Sequence, residues 1–161
     1  MDILKTAIEM EREGERFYLE QMDFNENYGI KAVCKLLAKE EAKHREILES
    51  KLEGKTVELK DGDLNKYIKE IYPEDQQFEI EIKAQPEQFD LYRMAMEKEK
   101  ESIHFYKSLL TKDQEEDVKK MLSFLITQEE KHYNLFDEMS QLLRRADEWV
   151  EDTRFGIRKE Y

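Results

Sequence analysis

Ala7-Ile8-Glu9-Met10-Glu11-Arg12-Glu13-Gly14-Glu15-Arg16-Phe17-Tyr18 is answered 88 positions later by Ala95-Met96-Glu97-Lys98-Glu99-Lys100-Glu101-Ser102-Ile103-His104-Phe105-Tyr106. Six of the twelve positions are identical, and the apolar ones fall at the three- and four-residue intervals of an amphipathic helix. The same offset, without a gap, carries Glu41 onto Glu129 and His44 onto His132. One helical hairpin is therefore written twice. Two such hairpins joined by a long connection predict an all-α, pseudo-two-fold four-helix bundle.

Working outward from the repeat, the first helix covers about residues 2 to 23, with Leu4, Ala7, Ile8, Glu11, Gly14, Tyr18 and Met22 on one face. After Asn25-Glu26-Asn27, whose asparagines can cap a helix, a second helix gathers Val33, Cys34, Leu37, Ala38, Glu41, His44 and Leu48 and ends near Gly54. Residues 53 to 86 read as a crossover: Asp61-Gly62-Asp63 is a turn and cap before a short helix at about 64 to 71. The alternation Phe78-Glu79-Ile80-Glu81-Ile82 has the period of a strand, though it has no partner to pair with. Pro86 suits the first turn of a third long helix, about 87 to 110, with Tyr92, Ala95, Met96, Glu99, Ile103 and Tyr106 inward. Asp113 with Glu116 reads as a capping pair for a fourth, whose inner stripe is Met121, Leu122, Leu125, Ile126, Glu129, His132, Tyr133 and Phe136 and which runs to about 150. Residues 1–152 thus form one domain and 153–161 a tail carrying Phe155 and Ile157.

Composition narrows the chemistry. The 161 residues carry 27 Lys and Arg against 39 Asp and Glu, a net charge of −12, which disfavours nucleic acid or an anionic membrane as partner and makes cations natural ligands. No apolar run reaches the length of a membrane helix and the N-terminus lacks a signal-peptide pattern, so a soluble, cytoplasmic protein is expected. The lone Cys34 excludes a disulfide framework or a four-cysteine metal site within these residues, leaving oxygen and nitrogen as ligands. It reads as a small buried apolar residue rather than a nucleophile.

Charged residues on an apolar stripe need a partner, because burying an uncompensated carboxylate costs several kcal/mol. Glu11, Glu41, Glu99 and Glu129 lie on such stripes, with His44 and His132 three residues after the second and fourth. At that spacing a Glu and a His project from one helix face. Two divalent cations would balance the four carboxylates. The Glu-x-x-His string alone is weak evidence, since glutamate fills about one position in six, and His104 also follows Glu101 by three. The neighbours of His104 one and two turns away are polar, however, which puts it on a solvated face, whereas His44 has Leu37, Ile47 and Leu48, and His132 has Leu125, Leu135, Phe136 and Met139. Two further pairs accompany the ligands. Tyr18 and Tyr106 sit two turns after Glu11 and Glu99 and lean back toward the site. Glu40 and Gln128, each before a motif glutamate, are placed to accept the outer N–H of the opposite histidine. Glu15, the nearest rival to Glu11, could guard an entrance.

Glu11 with Tyr18, Glu41-Ala42-Lys43-His44, Glu99 with Tyr106, and Glu129-Glu130-Lys131-His132 resemble the motifs of the ferritin-like diiron-carboxylate superfamily, most closely its rubrerythrin branch, over nearly the whole chain to about residue 145. The resemblance implies two iron ions, with manganese or zinc as alternatives. Glu41 and Glu129 would bridge them, Glu11 and Glu99 would bind one each terminally, and each histidine would complete one. It further implies an oxidoreductase of peroxide or dioxygen linked to oxidative stress, fed by a separate electron-donor protein. Pairing into a homodimer, which could exchange hairpins, is also implied. An iron-handling ferroxidase and a structural metal bundle are the alternatives. Two departures stand out: a four-cysteine rubredoxin-like domain is not encoded by one cysteine, and the extra glutamate of that family's third helix is replaced by Ser102.

Overall fold

In the computed structural model the backbone is described for residues 2–112 and 114–159, and side chains for residues 3–112 and 114–145. The described chain is all-helical: α1 (Asp2–Phe24), α2 (Tyr28–Leu52), α3 (Leu64–Ile71), α4 (Gln77–Lys83), a 3₁₀ turn Pro86–Gln88, α5 (Phe89–Leu110) and α6 (Glu116–Lys159). α1 packs along α2, and α5 along α6, so the two repeats are two hairpins. Asn27 caps α2 as expected, its side chain accepting the Ile30 backbone N–H at 2.9 Å. That bond satisfies one of the donors a helix start leaves free.

The crossover differs from expectation in one element. Phe78 to Ile82 is not extended but forms most of α4, packed against α6. Phe78 and Ile82, one turn apart, face inward while Ile80 points to solvent. An alternation only five residues long fits a single helical turn as well as a strand, and with no sheet to join, the helix satisfies its backbone locally. α3 spans the expected residues, and Pro86 opens the 3₁₀ turn that leads into α5. α6 is helical to Lys159, past the expected end near 150 and into the stretch read as a tail. The side chains of Phe155 and Ile157, and the cap expected at Asp113, lie outside the described residues.

The core has two apolar clusters. One contains Tyr18, Val33, Leu37, Tyr92, Phe136 and Met139, and the other Ala7, Ile8, Leu48, Tyr106, Met121 and Leu125. On every long helix the glutamate or Glu-x-x-His motif falls between residues of the two clusters, so the bundle carries one polar layer across its interior. Cys34 is fully buried in the first cluster, and burial pushes its thiol up to about 12, as suits a packing residue. His104 is exposed.

Candidate metal centre

Each long helix contributes to the polar layer through its own register. α1 supplies Glu11, α2 Glu41 and His44, α5 Glu99, and α6 Glu129 and His132, all buried. Their ligand atoms form two overlapping groups: Glu11, Glu41, His44 and Glu129, and Glu41, Glu99, Glu129 and His132. Within each, one ligand atom per residue lies within 4.8 Å of the others. Glu41 and Glu129 belong to both. His44 Nδ1 lies 2.6 Å from Glu129 Oε1 and 3.5 Å from Glu11 Oε2, while His132 Nδ1 lies 3.1 Å from Glu41 Oε1 and 3.5 Å from Glu99 Oε1. The imidazole rings stack with centroids 5.6 Å apart. Each histidine thus aims Nδ1 inward and leaves Nε2 for the surroundings.

The tyrosines cross over between hairpins. Tyr18 on α1 donates to Glu99 Oε1 of α5 at 2.6 Å, and Tyr106 on α5 donates to Glu11 Oε1 of α1 at 2.5 Å. Burial and the surrounding carboxylates push both phenols well above their ordinary range, so each keeps its proton and remains a donor. The second oxygens of Glu11 and Glu99, both oxygens of Glu129 and Nδ1 of His44 make no hydrogen bond. Buried acceptors converging without donors are costly, and a pair of cations is the counter-charge that would satisfy them. The donor set, carboxylate oxygens with one imidazole per group, is that of redox iron or manganese sites.

Protons divide this layer. Burial, reinforced by the neighbouring carboxylates, pushes Glu41 and Glu129 well above the usual carboxylate range. Burial also opposes charge on Glu11 and Glu99, but it is outweighed. The neighbouring Glu41 and the charge of His44 hold Glu11 low, and the charge of His132 holds Glu99 at about 2. Burial disfavours the imidazolium form of both histidines, yet Glu11 raises His44 and Glu99 raises His132 to about 10. Without metal, Glu11 and Glu99 thus favour the charged form, Glu41 and Glu129 the neutral one, and both histidines hold a proton more tightly than a free imidazole.

Around this layer, Glu40 is buried with Oε1 3.8 Å from Nε2 of His132, on the side expected for an acceptor of the outer N–H. Gln128 is buried at the equivalent place in the second hairpin, and its amide meets Asp61 of the crossover. Glu15 pairs with Arg45 at 3.1 Å, outside the carboxylate layer. Ser102 is buried one turn after Glu99, and at Gly14, its counterpart on α1, a Cβ would come within 3.0 Å of Glu41 Oε2. Sequence reasoning missed the crossover's share: Asp61 forms an ion pair with Lys131, and the Gly62 backbone lies against Glu40. The only signal was the Asp-Gly-Asp turn, which says where the chain bends and not what it bends over.

A four-helix bundle with an internal layer of four glutamates and two histidines defines the class of carboxylate-rich metal proteins. The rubrerythrin family model matches residues 2–140, and the chain belongs to that family. No curated protein and no solved structure matches it. Among the described residues no helix is long and apolar enough to cross a membrane.

Proposed function

We propose that this chain is a diiron oxidoreductase that reduces hydrogen peroxide or dioxygen with electrons from a separate donor protein. One observation carries the reading: two four-residue groups that overlap in Glu41 and Glu129. Glu11 and His44 would hold one iron, Glu99 and His132 the other, with Glu41 and Glu129 shared. Two iron ions supply the electron pair that reduction of one peroxide to two waters consumes together with two protons. The chain's own part is to hold and orient. Tyr18 and Tyr106 fix the terminal carboxylates, the tautomer of each histidine is set by what meets its Nε2, and the apolar clusters on both sides keep bulk water from the layer. These 161 residues hold one cysteine, too few for a four-cysteine electron carrier. A second copy is the proposed assembly partner, checked by mass measurement in solution.

The test is metal analysis of protein purified without added metal, followed by stopped-flow spectra of the Fe(II)-loaded protein with each oxidant. Two irons per chain and a fast reaction with peroxide support the proposal. Mineral accumulation beyond two irons per chain would replace it with iron handling. Unchanged stoichiometry in Glu41→Ala and His132→Ala would refute the ligand assignment.

A further inference from the structure

We infer that the crossover turn Asp61-Gly62-Asp63 is a clasp that positions the metal centre from outside, its side-chain-free Gly62 holding the Glu40 carboxylate against the outer nitrogen of His132. The inference rests on the proposed role of His132 as a ligand. The geometry is specific. A Cβ at Gly62 would meet Glu40 Oε2 at 2.5 Å, Oε1 at 2.9 Å and Cδ at 3.0 Å, so the turn and the carboxylate are in close contact. The turn is tied down on both sides of that contact. Asp61 forms an ion pair with Lys131, the residue before His132, and accepts the Asp63 backbone N–H at 2.8 Å, while Asp63 takes the left-handed conformation at φ 56°. The side chain of Gln128 meets Asp61 as well. Two crossover residues thereby touch the residue preceding each shared glutamate, Gly62 against Glu40 before Glu41 and Asp61 with Gln128 before Glu129.

Glu40 has little freedom there. Its Oε1 lies 3.8 Å from His132 Nε2, beyond hydrogen-bond distance, and both atoms are buried without a hydrogen bond, while its Oε2 lies 3.9 Å from the exposed Lys43 ammonium. With Nδ1 of His132 turned toward the ligand layer as a donor of electrons to metal, the ring's N–H sits on Nε2, and Glu40 is the acceptor within reach. A methyl group at position 62 would overlap the Glu40 carboxylate and displace it, and the Lys43 ammonium, 3.9 Å from Oε2, is the cation it would move toward.

The experiment uses the full chain with Gly62→Ala, Glu40→Gln, Glu40→Ala and the double variant Gly62→Ala/Glu40→Ala. Co(II) affinity is measured against a competing chelator together with the visible spectrum of the bound ion. Glu40→Gln and Gly62→Ala are each expected to weaken binding roughly ten-fold or more, in the range of lost outer partners of metal-bound histidines, and to shift the Co(II) bands alike. Gly62→Ala is expected to add nothing once Glu40 is alanine. In chelator-treated protein the imidazole ¹⁵N resonances of His132 should move in Gly62→Ala and Glu40→Gln in the same direction, which tests the clasp even if the wild-type chain takes up no metal. A Gly62→Ala protein whose His132 resonances stay in place, or whose loss of affinity persists undiminished in the Glu40→Ala background, would overturn the inference. A wild-type chain that binds no Co(II) while those resonances move would instead refute the diiron reading and leave the clasp standing.

Discussion

The α1–α2 hairpin and the α5–α6 hairpin present the same ligands to the centre but back them differently. Each gives one glutamate found in a single group of candidate ligands, one glutamate common to both groups, one histidine and one tyrosine reaching across to the other hairpin. Behind His132, however, stands the carboxylate of Glu40, whereas the matching residue of the second hairpin is the neutral amide Gln128, turned to Asp61. Tyr18 stacks on Phe136 with centroids 5.9 Å apart, while the ring neighbour of Tyr106 is its own chain neighbour Phe105, tilted 59°. Gly14 faces Ser102 across the pseudo-two-fold. Inner residues that repeat, set in surroundings that do not, make the two halves chemically inequivalent although the four glutamates and two histidines divide equally between them.

The largest effect should come from what the halves share. Glu129→Gln is expected to abolish binding at both positions, because both groups lose a member, whereas His44→Ala should remove one position and leave the other. Metal analysis separates these outcomes. With burial already favouring its neutral form, Glu129→Gln should leave the stability of chelator-treated protein within about 1 kcal/mol of wild type, since an amide replaces a neutral carboxyl of the same shape. Loss of a single metal in Glu129→Gln would break the symmetry of the scheme at its centre.

The next effect is in protons. Glu41, Glu129, His44 and His132 all hold protons more tightly than usual in the metal-free centre, and any proton on them must leave when two divalent cations bind. Calorimetry at neutral pH in buffers of different ionisation enthalpy is expected to show a net release of protons as Zn(II) binds. No release would mean that all four groups are free of protons before the metal arrives.

The same protons set the pH dependence of chelator-treated protein. His132, raised from 6.5 to about 10, stabilises fully below about 6.5 and loses that contribution as pH rises through about 10. Glu99, lowered from 4.5 to about 2, stabilises fully above about 4.5 and loses it as pH falls through about 2. Both act fully only between about 4.5 and 6.5. Glu41 and Glu129, raised by burial and by like charges, cost stability as the pH climbs toward their folded values, in the same alkaline direction as the loss from His132. Because the cost from Glu41 and Glu129 begins at about 4.5, thermal unfolding without metal should peak near the acid edge of that window and decline on the alkaline side. Added metal should flatten the alkaline decline, because the cation takes over from the protons.

How much of this was legible in the sequence follows from which contacts are local. The repeat from Ala7 and Ala95 and the spacing of Glu41 with His44 obey helical periodicity, so the four long helices and the six inward charges could be read before any coordinates. The cross-hairpin bonds of Tyr18 and Tyr106 were legible only as approach to the site, because their partners lie 81 and 95 residues away. The crossover was misread at α4 because five alternating residues satisfy two periods at once. Gly62 was legible as a turn and invisible as a contact, because its partner Glu40 belongs to another element and no local pattern encodes a close approach between them.

A smaller effect lies in the tyrosines. Tyr18→Phe and Tyr106→Phe each keep a ring and delete one hydrogen bond to a buried carboxylate, which should cost about 1.5–3 kcal/mol in denaturant unfolding of chelator-treated protein. Equal costs are expected, since the bonds are equivalent. A clear excess for either would locate the asymmetry among the ligands themselves.

The smallest and sharpest contrast is between Gly14 and Ser102. Both lie within long helices three residues after a terminal glutamate, so alanine at either gains helix propensity, about 1 kcal/mol over glycine and less over serine. At Gly14 the new Cβ would stand 3.0 Å from Glu41 Oε2, so the carboxylate must give by a few tenths of an ångström. Gly14→Ala should therefore leave unfolding stability little changed or slightly raised while weakening metal binding several-fold. Ser102→Ala should raise stability modestly and leave affinity alone. Such a split would show that α1 keeps glycine against its local preference in order to give a shared ligand room. If Ser102→Ala weakens metal binding as much as Gly14→Ala, the room beside Glu41 is not what distinguishes the two hairpins, and the difference must lie behind the histidines instead.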